Sequence, residues 1–354
     1  MKTRVKLLEF RFTLLVILLV CSIPACAPPL PDQTSQSPTA TPEIIIATVS
    51  PTPEPTNTPV LACPQTQADI LGSGQENTYG FNAGNAQAVS SRTDSLTLIT
   101  YQVRGDRISD PFIESIPDNL IKDQQDVASQ QEAWQLFTTL IPTEDRRMVA
   151  QYLAITDGPG KTLAAVQQTQ TNPKKWIIEL DVADVSDKLK LIFTLLHEYG
   201  HLVTLNASQV PPDIPVFKNP HNVRLYDQQV AACQTYYTRQ GCSKPDSYIN
   251  QFYTHFWADI IEEWQQISKP SGPESADEYN RRMSGFYQKY SDRFVDDYGI
   301  TNPIEDIAES FAFFILSQQP KDDVIKDQKI LFFYRYPELV QLRSRILSNL
   351  CSIK

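Results

Sequence analysis

Two histidines and a glutamate stand at a spacing that can hold a metal ion: His197-Glu198-Tyr199-Gly200-His201. An α-helix turns every 3.6 residues, so positions i and i+4 share a face and both imidazoles can aim at one point. Glu198 lies one position round, within reach of a water at that point. Nitrogen ligands suit zinc, whose hydrolytic sites combine three protein ligands with one water. The ion lowers the pKa of the water and polarises a carbonyl, while the glutamate takes the proton. The chain has only four histidines, and two of them fall in this pentapeptide.

A third ligand is needed. A third histidine in the H-E-x-x-H-x-x-G-x-x-H pattern would require Gly at 204 and His at 207, where Thr204 and Ala207 stand. His221 follows Pro220 and is expected to be a solvated loop residue; His255, among aromatic residues, is expected in the core. The carboxylates of Asp297–Phe311 fit better. Asn302 is a natural N-cap and Pro303 suits the first helical position. Glu305 and Glu309 then share a face one turn apart, so one can bind a metal and the other can hold a ligand histidine from behind. A capping box between Asn302 and Glu305 would explain Glu305 without a metal. It leaves Glu309 unexplained, because an acid among Phe311, Phe313, Phe314 and Ile315 is costly to bury.

H-E-x-x-H followed by a Glu-x-x-Ala-Glu-x-Phe helix resembles the gluzincin metallopeptidases. The segment Tyr298–Phe311 is similar to the zinc-site segment of lethal-factor-type peptidases, in which a tyrosine precedes the ligand glutamate by seven positions, as Tyr298 precedes Glu305. The resemblance implies zinc as cofactor, with His197, His201 and Glu305 as ligands. It implies Glu198 as general base, Tyr298 as oxyanion stabiliser and Glu309 as the group that orients a ligand histidine. It covers only these two patches. Residues 202–304 make a longer insert between them than is usual in such families, and the carry-over of Tyr298 and Glu309 rests on a match across that insert.

The elements that must position these groups follow from periodicity. Ser95–Val103 reads as a strand, and a helix is expected from about Ser129 to Ile141, stopped by Pro142. Three further strands are expected at Arg147–Thr156, Lys161–Thr169 and Lys175–Val182, with a turn at Asp157-Gly158-Pro159-Gly160. In the last of them Trp176, Ile178, Leu180 and Val182 alternate with Ile177, Glu179 and Asp181, the pattern of a half-buried strand. That strand is expected to form the cleft edge to which an extended peptide adds. The metal-site helix is expected from about Ser186 to Leu205, capped by Asp184 or Ser186. Residues 206–230 read as proline-rich and irregular. Helices are expected at about 248–268, 275–293, 303–318, 323–334 and 337–350. Tyr236, Tyr237, Tyr253, Phe256, Trp257 and Trp264 are expected mainly as core. The expected fold class is α+β: a small, mostly antiparallel sheet packed on the H-E-x-x-H helix, then a mainly helical C-terminal half, as in a zincin-like domain spanning 129–354. Residues 63–128, rich in Gly, Ser, Asn and Gln, carry no clear pattern beyond one strand.

The N-terminus reads as an export signal over residues 1–25, with a basic start and an apolar run too short to span a bilayer. Ile23-Pro24-Ala25-Cys26 resembles a lipobox, which implies cleavage before Cys26 and its acylation; an ordinary cleavable signal is the alternative. Residues 26–62 are rich in Pro and Thr and read as an extended tether. The expected location is therefore the outer side of a cell membrane. Cys63, Cys233, Cys242 and Cys351 remain for disulfides, with Cys233–Cys242 and Cys63–Cys351 the favoured pairing among three possible connectivities. A formal charge of −10 argues against nucleic acid as a partner. The expected function is an extracytoplasmic zinc endopeptidase acting on a protein or peptide, held to the membrane by its lipid. The competing reading is a peptide- or wall-binding surface lipoprotein with a structural or vestigial metal site. Nothing in the sequence sets the oligomeric state or the cleavage preference.

Overall fold

A computed structural model describes residues 63–76, 95–158, 162–269 and 275–353. The expected signal, Cys26 and the Pro/Thr-rich tether lie outside these residues. The chain opens with α1 (Pro64–Glu76), then β1 (Leu96–Arg104) and β2 (Arg107–Ile113), α2 (Ile121–Gln125) and α3 (Val127–Leu140). Next come β3 (Val149–Thr156), β4 (Ala164–Gln168) and β5 (Trp176–Asp181), followed by α4 (Lys188–Leu205), α5 (Ile214–Lys218), α6 (Val223–Ala232), α7 (Tyr248–Phe256) and α8 (Ile261–Ser268). The C-terminal part is α9 (Ala276–Lys289), α10 (Pro303–Leu316), α11 (Ile325–Tyr334) and α12 (Pro337–Leu350).

The five strands form one mixed sheet in the order β2-β1-β3-β5-β4. Three ladders are antiparallel and one, β3 with β5, is parallel. Gly105, with a φ of 63°, makes the two-residue turn between β1 and β2, a backbone state that costs other residues more. Because β1 and β2 share the sheet with β3–β5, residues 95–113 belong to the same fold as the rest. The α+β class holds. Among the described residues no helix is long and apolar enough to cross a membrane.

One expectation about the sheet is corrected. β5 is not the edge; it lies between β3 and β4, and β4 takes the edge. Nor is β5 half-buried, since all six of its residues are buried. The acids that suggested a wet face are used internally. Asp181, 0 % exposed, accepts the Asp157 and Ala183 N–H groups and ties β5 to the loop after β3. Glu179, 7 % exposed, is bonded by the Gln167 amide of β4.

α4 is buried along nearly its whole length, from Leu191 to Leu205, with only Thr194 partly exposed. A helix apolar on every side must run through a core rather than over it. α4 does so, with β4 on one flank and α1 and α10 on others. Its N-cap is Asp187, whose carboxylate accepts the Lys190 N–H, and not Asp184 or Ser186 as expected.

α10 is the second buried helix, and both of its ends are capped. Asn302 Oδ1 accepts the N–H groups of Ile304 and Glu305 at 2.9 and 3.1 Å. At the other end Arg343 of α12, itself buried, donates to the Phe314 and Ser317 carbonyls. These bonds satisfy groups that every helix leaves open at its ends. Between the caps, Phe311, Phe314 and Ile315 are fully buried, each worth roughly 1.5–3 kcal/mol of apolar burial. Two disulfides, Cys63–Cys351 and Cys233–Cys242, close the chain; such bonds persist in oxidising compartments.

The remaining differences are local. α5 and α6 occupy the stretch read as irregular, and the single helix expected at 248–268 is broken at Trp257–Ile260. His221 is exposed, as expected. His255 is also exposed, not core; its Nδ1–H donates to the Gln251 carbonyl one turn back.

Candidate metal centre

The site lies where α4 crosses α10. Gly200 faces Ala308, and a Cβ on Gly200 would stand 3.0 Å from Ala308 Cα and 3.2 Å from its carbonyl oxygen. Glycine on one helix and alanine on the other let the backbones touch. Glu305 and Glu309, three residues before and one after Ala308, are thereby brought onto His197 and His201.

Glu305 Oε2 lies 3.1 Å from His197 Nε2 and 3.2 Å from His201 Nε2. The three donor atoms all fall within 4.8 Å of one another. Ligands of a tetrahedral ion with bonds of roughly 2.0–2.1 Å stand about 3.3 Å apart, so these separations fit a small divalent cation. The group could hold a metal ion. The capping role of Asn302 does not engage the Glu305 side chain, which turns to the imidazoles instead.

Behind this trio, His197 Nδ1–H donates to Glu309 Oε2. That bond sets the ring so that Nε2 faces Glu305, an orientation that carboxylates commonly impose on metal-binding histidines. His201 Nδ1 is buried without a protein partner. The Tyr298 ring stands 5.6 Å, centre to centre, from the His197 ring. Tyr298 starts the short 3-10 turn Tyr298–Thr301 that leads into α10. Glu198 is buried beside His197 on α4.

The charges are strongly coupled. Burial opposes a charged His197, but Glu309, Glu305 and Glu198 outweigh it and hold its pKa well above the ordinary imidazole value. Burial likewise works against ionised Glu305, yet His201 and His197 keep its carboxyl well below the usual range. Glu309 is held low in the same way, with His197 overcoming burial. Asp296 is the opposite case: burial, then the neighbouring Glu309, pushes it well above the usual carboxylate range.

On its far side α10 is held by a buried ion pair. Asp306 Oδ2 accepts from Lys329 Nζ of α11 at 2.5 Å and from Trp257 Nε1 at 2.7 Å. Lys329 Nζ also sits 4.0 Å above the centre of the Phe294 ring. Glu305 and Asp306 are consecutive, so one first-turn residue faces the histidines while the next anchors the helix.

Sequence reasoning singled out His197, Glu198, His201, Tyr298, Glu305 and Glu309, and the fold gathers them around the α4–α10 crossing. It missed Gly200, Ala308, Asp296 and the Asp306–Lys329 pair. An Asp two residues before Tyr298-Gly299 has the spacing of a side chain that closes a turn on its own backbone, which was a usable signal for Asp296. No protein-family model, curated protein or solved structure matches this chain.

Proposed function

We propose that the chain is an extracytoplasmic zinc-dependent endopeptidase of gluzincin type, with a zincin-like catalytic arrangement. The observation that carries this reading is the convergence of the His197 and His201 Nε2 atoms on one oxygen of Glu305, with Glu309 behind His197. His197, His201 and Glu305 would hold the ion. Zinc, once bound there, supplies Lewis acidity that activates water and polarises a peptide carbonyl.

The chain's own residues do the rest. Glu198 takes a proton from the attacking water and returns it to the leaving amine. The Tyr298 phenol donates to the oxyanion that develops on the carbonyl. Glu309 keeps the His197 ring fixed while charge shifts in front of it. The strand suited to an extended peptide is β4 rather than β5, since β4 is one of the two sheet edges and the one that lies against α4. A peptide added there would pair by main-chain hydrogen bonds beside the strand that packs on α4, the helix carrying two of the metal ligands.

Residues 1–25 as a lipoprotein signal, Cys26 as the lipidated residue and 26–62 as a tether complete the proposal and place this chemistry outside a membrane. The disulfides agree with that location.

Metal analysis and one substitution test the reading. The purified chain should carry about one zinc, the content of a single catalytic site. Glu198→Gln should keep the zinc and lose hydrolysis of an unfolded protein substrate. A chain that binds no zinc, or a Glu198→Gln variant with full activity, would refute it. Zinc retained with no hydrolysis by the parent chain would favour the binding-lipoprotein alternative.

A further inference from the structure

A cavity of about 470 Å³ opens at one end of the sheet. Its walls come from the end of β1 and from the residues that lead into β3 and β5. That volume falls among small-molecule sites, roughly 300–1,000 Å³. No residue of the metal centre lines it. The parallel register that sets Val149 beside Trp176 brings the starts of β3 and β5 together, and Arg147 and Lys175 with them. Lys175 Nζ donates to the Arg147 carbonyl at 2.9 Å, which fixes the ammonium beside Arg147 and leaves its other N–H groups free for a ligand.

Arg104, Arg146, Arg147 and Lys175 line this cavity and no acid does, in a chain whose formal charge is −10. Two of these cations are already used. Arg146, buried, donates to the Ile141 and Gly105 carbonyls and to Asp106, and so ties its stretch of chain to the β1–β2 turn. Arg104 pairs with Asp110 at 2.9 Å. Asp145, between the cavity residues Thr143 and Arg146, is held by Arg345. Arg147 and Lys175 are exposed, and among the described residues neither forms an ion pair. Two uncompensated charges held side by side suit a phosphate monoester, which carries about −1.5 to −2 at neutral pH. A guanidinium and an ammonium are both good phosphate donors. A lone carboxylate would balance only one of them.

We propose that this cavity binds a ligand bearing a phosphate monoester, with Arg147 and Lys175 as its charged contacts and Arg146 as the buried support of the wall that carries Arg147. A soluble phosphate ester and the phosphate head group of an anionic lipid offer the same chemistry, and the test separates them. The inference does not depend on the metal centre.

The test uses the full chain at low ionic strength. Glycerol 3-phosphate is the soluble probe, read by calorimetry. Vesicles containing phosphatidic acid, compared with phosphatidylcholine alone, are the lipid probe, read by flotation. At least one probe should bind, although the net negative charge of the chain repels anions in general. Arg147→Gln and Lys175→Gln should each weaken that binding by about tenfold, the scale of one charge-assisted hydrogen bond, and the double variant by about a hundredfold. Arg104→Gln should change it by less than about twofold, because that charge already serves Asp110. Both contact residues are exposed, so circular dichroism of these variants should match the parent. Binding of glycerol 3-phosphate supports the site and identifies a soluble ester; binding confined to phosphatidic acid vesicles supports it and identifies a lipid head group. Failure of both probes, binding undiminished in the double variant, or acetate bound as tightly as glycerol 3-phosphate would each overturn the inference. So would a loss in Arg104→Gln as large as in Arg147→Gln, which would mean general charge attraction.

Discussion

Gly200 of α4 and Ala308 of α10 meet backbone to backbone, with space for a Cβ on Gly200 only 3.0 Å from Ala308 Cα. This contact places Glu305 within 3.2 Å of both histidines. In an ordinary helix, Gly→Ala is stabilising by about 1 kcal/mol, because alanine loses less backbone freedom. Here the added methyl would meet main-chain atoms, which cannot swing aside as a side chain can. Gly200→Ala should therefore destabilise the protein by about 1–3 kcal/mol, in the range of core overpacking. It should also push Glu305 and Glu309 away from the imidazoles and weaken Zn2+ binding by about tenfold or more, the scale at which displaced ligand supports act. Urea unfolding and chelator competition measure the two effects. A more stable variant with unchanged affinity would show that the helices are not held at contact distance by this pair.

The two helices of the site were legible in the sequence because their signals are local. The i, i+4 histidines, the Asn302-Pro303 start and the spacing of Glu305 and Glu309 each concern a few neighbouring residues. Four of the five strands were legible for the same reason, but β2 at Arg107–Ile113 was not. What was misread depends on partners distant in sequence. Glu179 and Asp181 suggested a half-buried strand, but Gln167 and the loop at Asp157 supply hydrogen bonds that let them be buried. That is why β5 could be interior and β4 the edge. Trp257 ends α7 and turns its indole to Asp306, a contact that nothing in residues 248–268 announces. α1 lies in a polar stretch of weak periodicity and is tied down by Cys63–Cys351 and by packing on α4. His255 was assigned to the core from its aromatic neighbours, yet it points outward from the helix whose inner face carries Phe252 and Phe256.

Metal uptake should release a proton. In the metal-free protein Glu309 and Glu305 face the two nitrogens of His197 and hold its pKa well above the ordinary 6.5, which favours the doubly protonated ring at neutral pH. A metal needs the Nε2 lone pair, so the Nε2 proton must leave. The sign follows: between about pH 6.5 and the raised pKa, apparent Zn2+ affinity should rise by about tenfold per pH unit and flatten above it. The same group stabilises the metal-free fold below the unfolded imidazole pKa, and that contribution is lost as pH rises through the folded pKa. Calorimetric Zn2+ titrations in two buffers of different ionisation enthalpy count the protons released. A pH-independent affinity with no proton released at neutral pH would contradict the assignment.

Asp306 and Lys329 form a fully buried pair that anchors the first turn of α10, the turn that also carries Glu305. Replacing Lys329 by Met keeps much of the volume but removes the charge. Asp306 would then keep Trp257 Nε1–H as its hydrogen-bond donor while its charge went uncompensated. Removing one partner of a buried ion pair costs about 3–5 kcal/mol, mostly through the charge left behind. Lys329→Met alone should lower stability by that amount. Adding Asp306→Asn should restore most of it, since the amide carbonyl can still accept from Trp257 and no buried charge remains. Urea unfolding of the parent, both single variants and the double variant gives the coupling directly. The double variant should also recover Zn2+ affinity, because Glu305 depends on where α10 begins and not on the charge of its neighbour. Additive losses in the double variant would mean that the pair acts as two separate packing groups, and that α10 is placed by its apolar contacts alone.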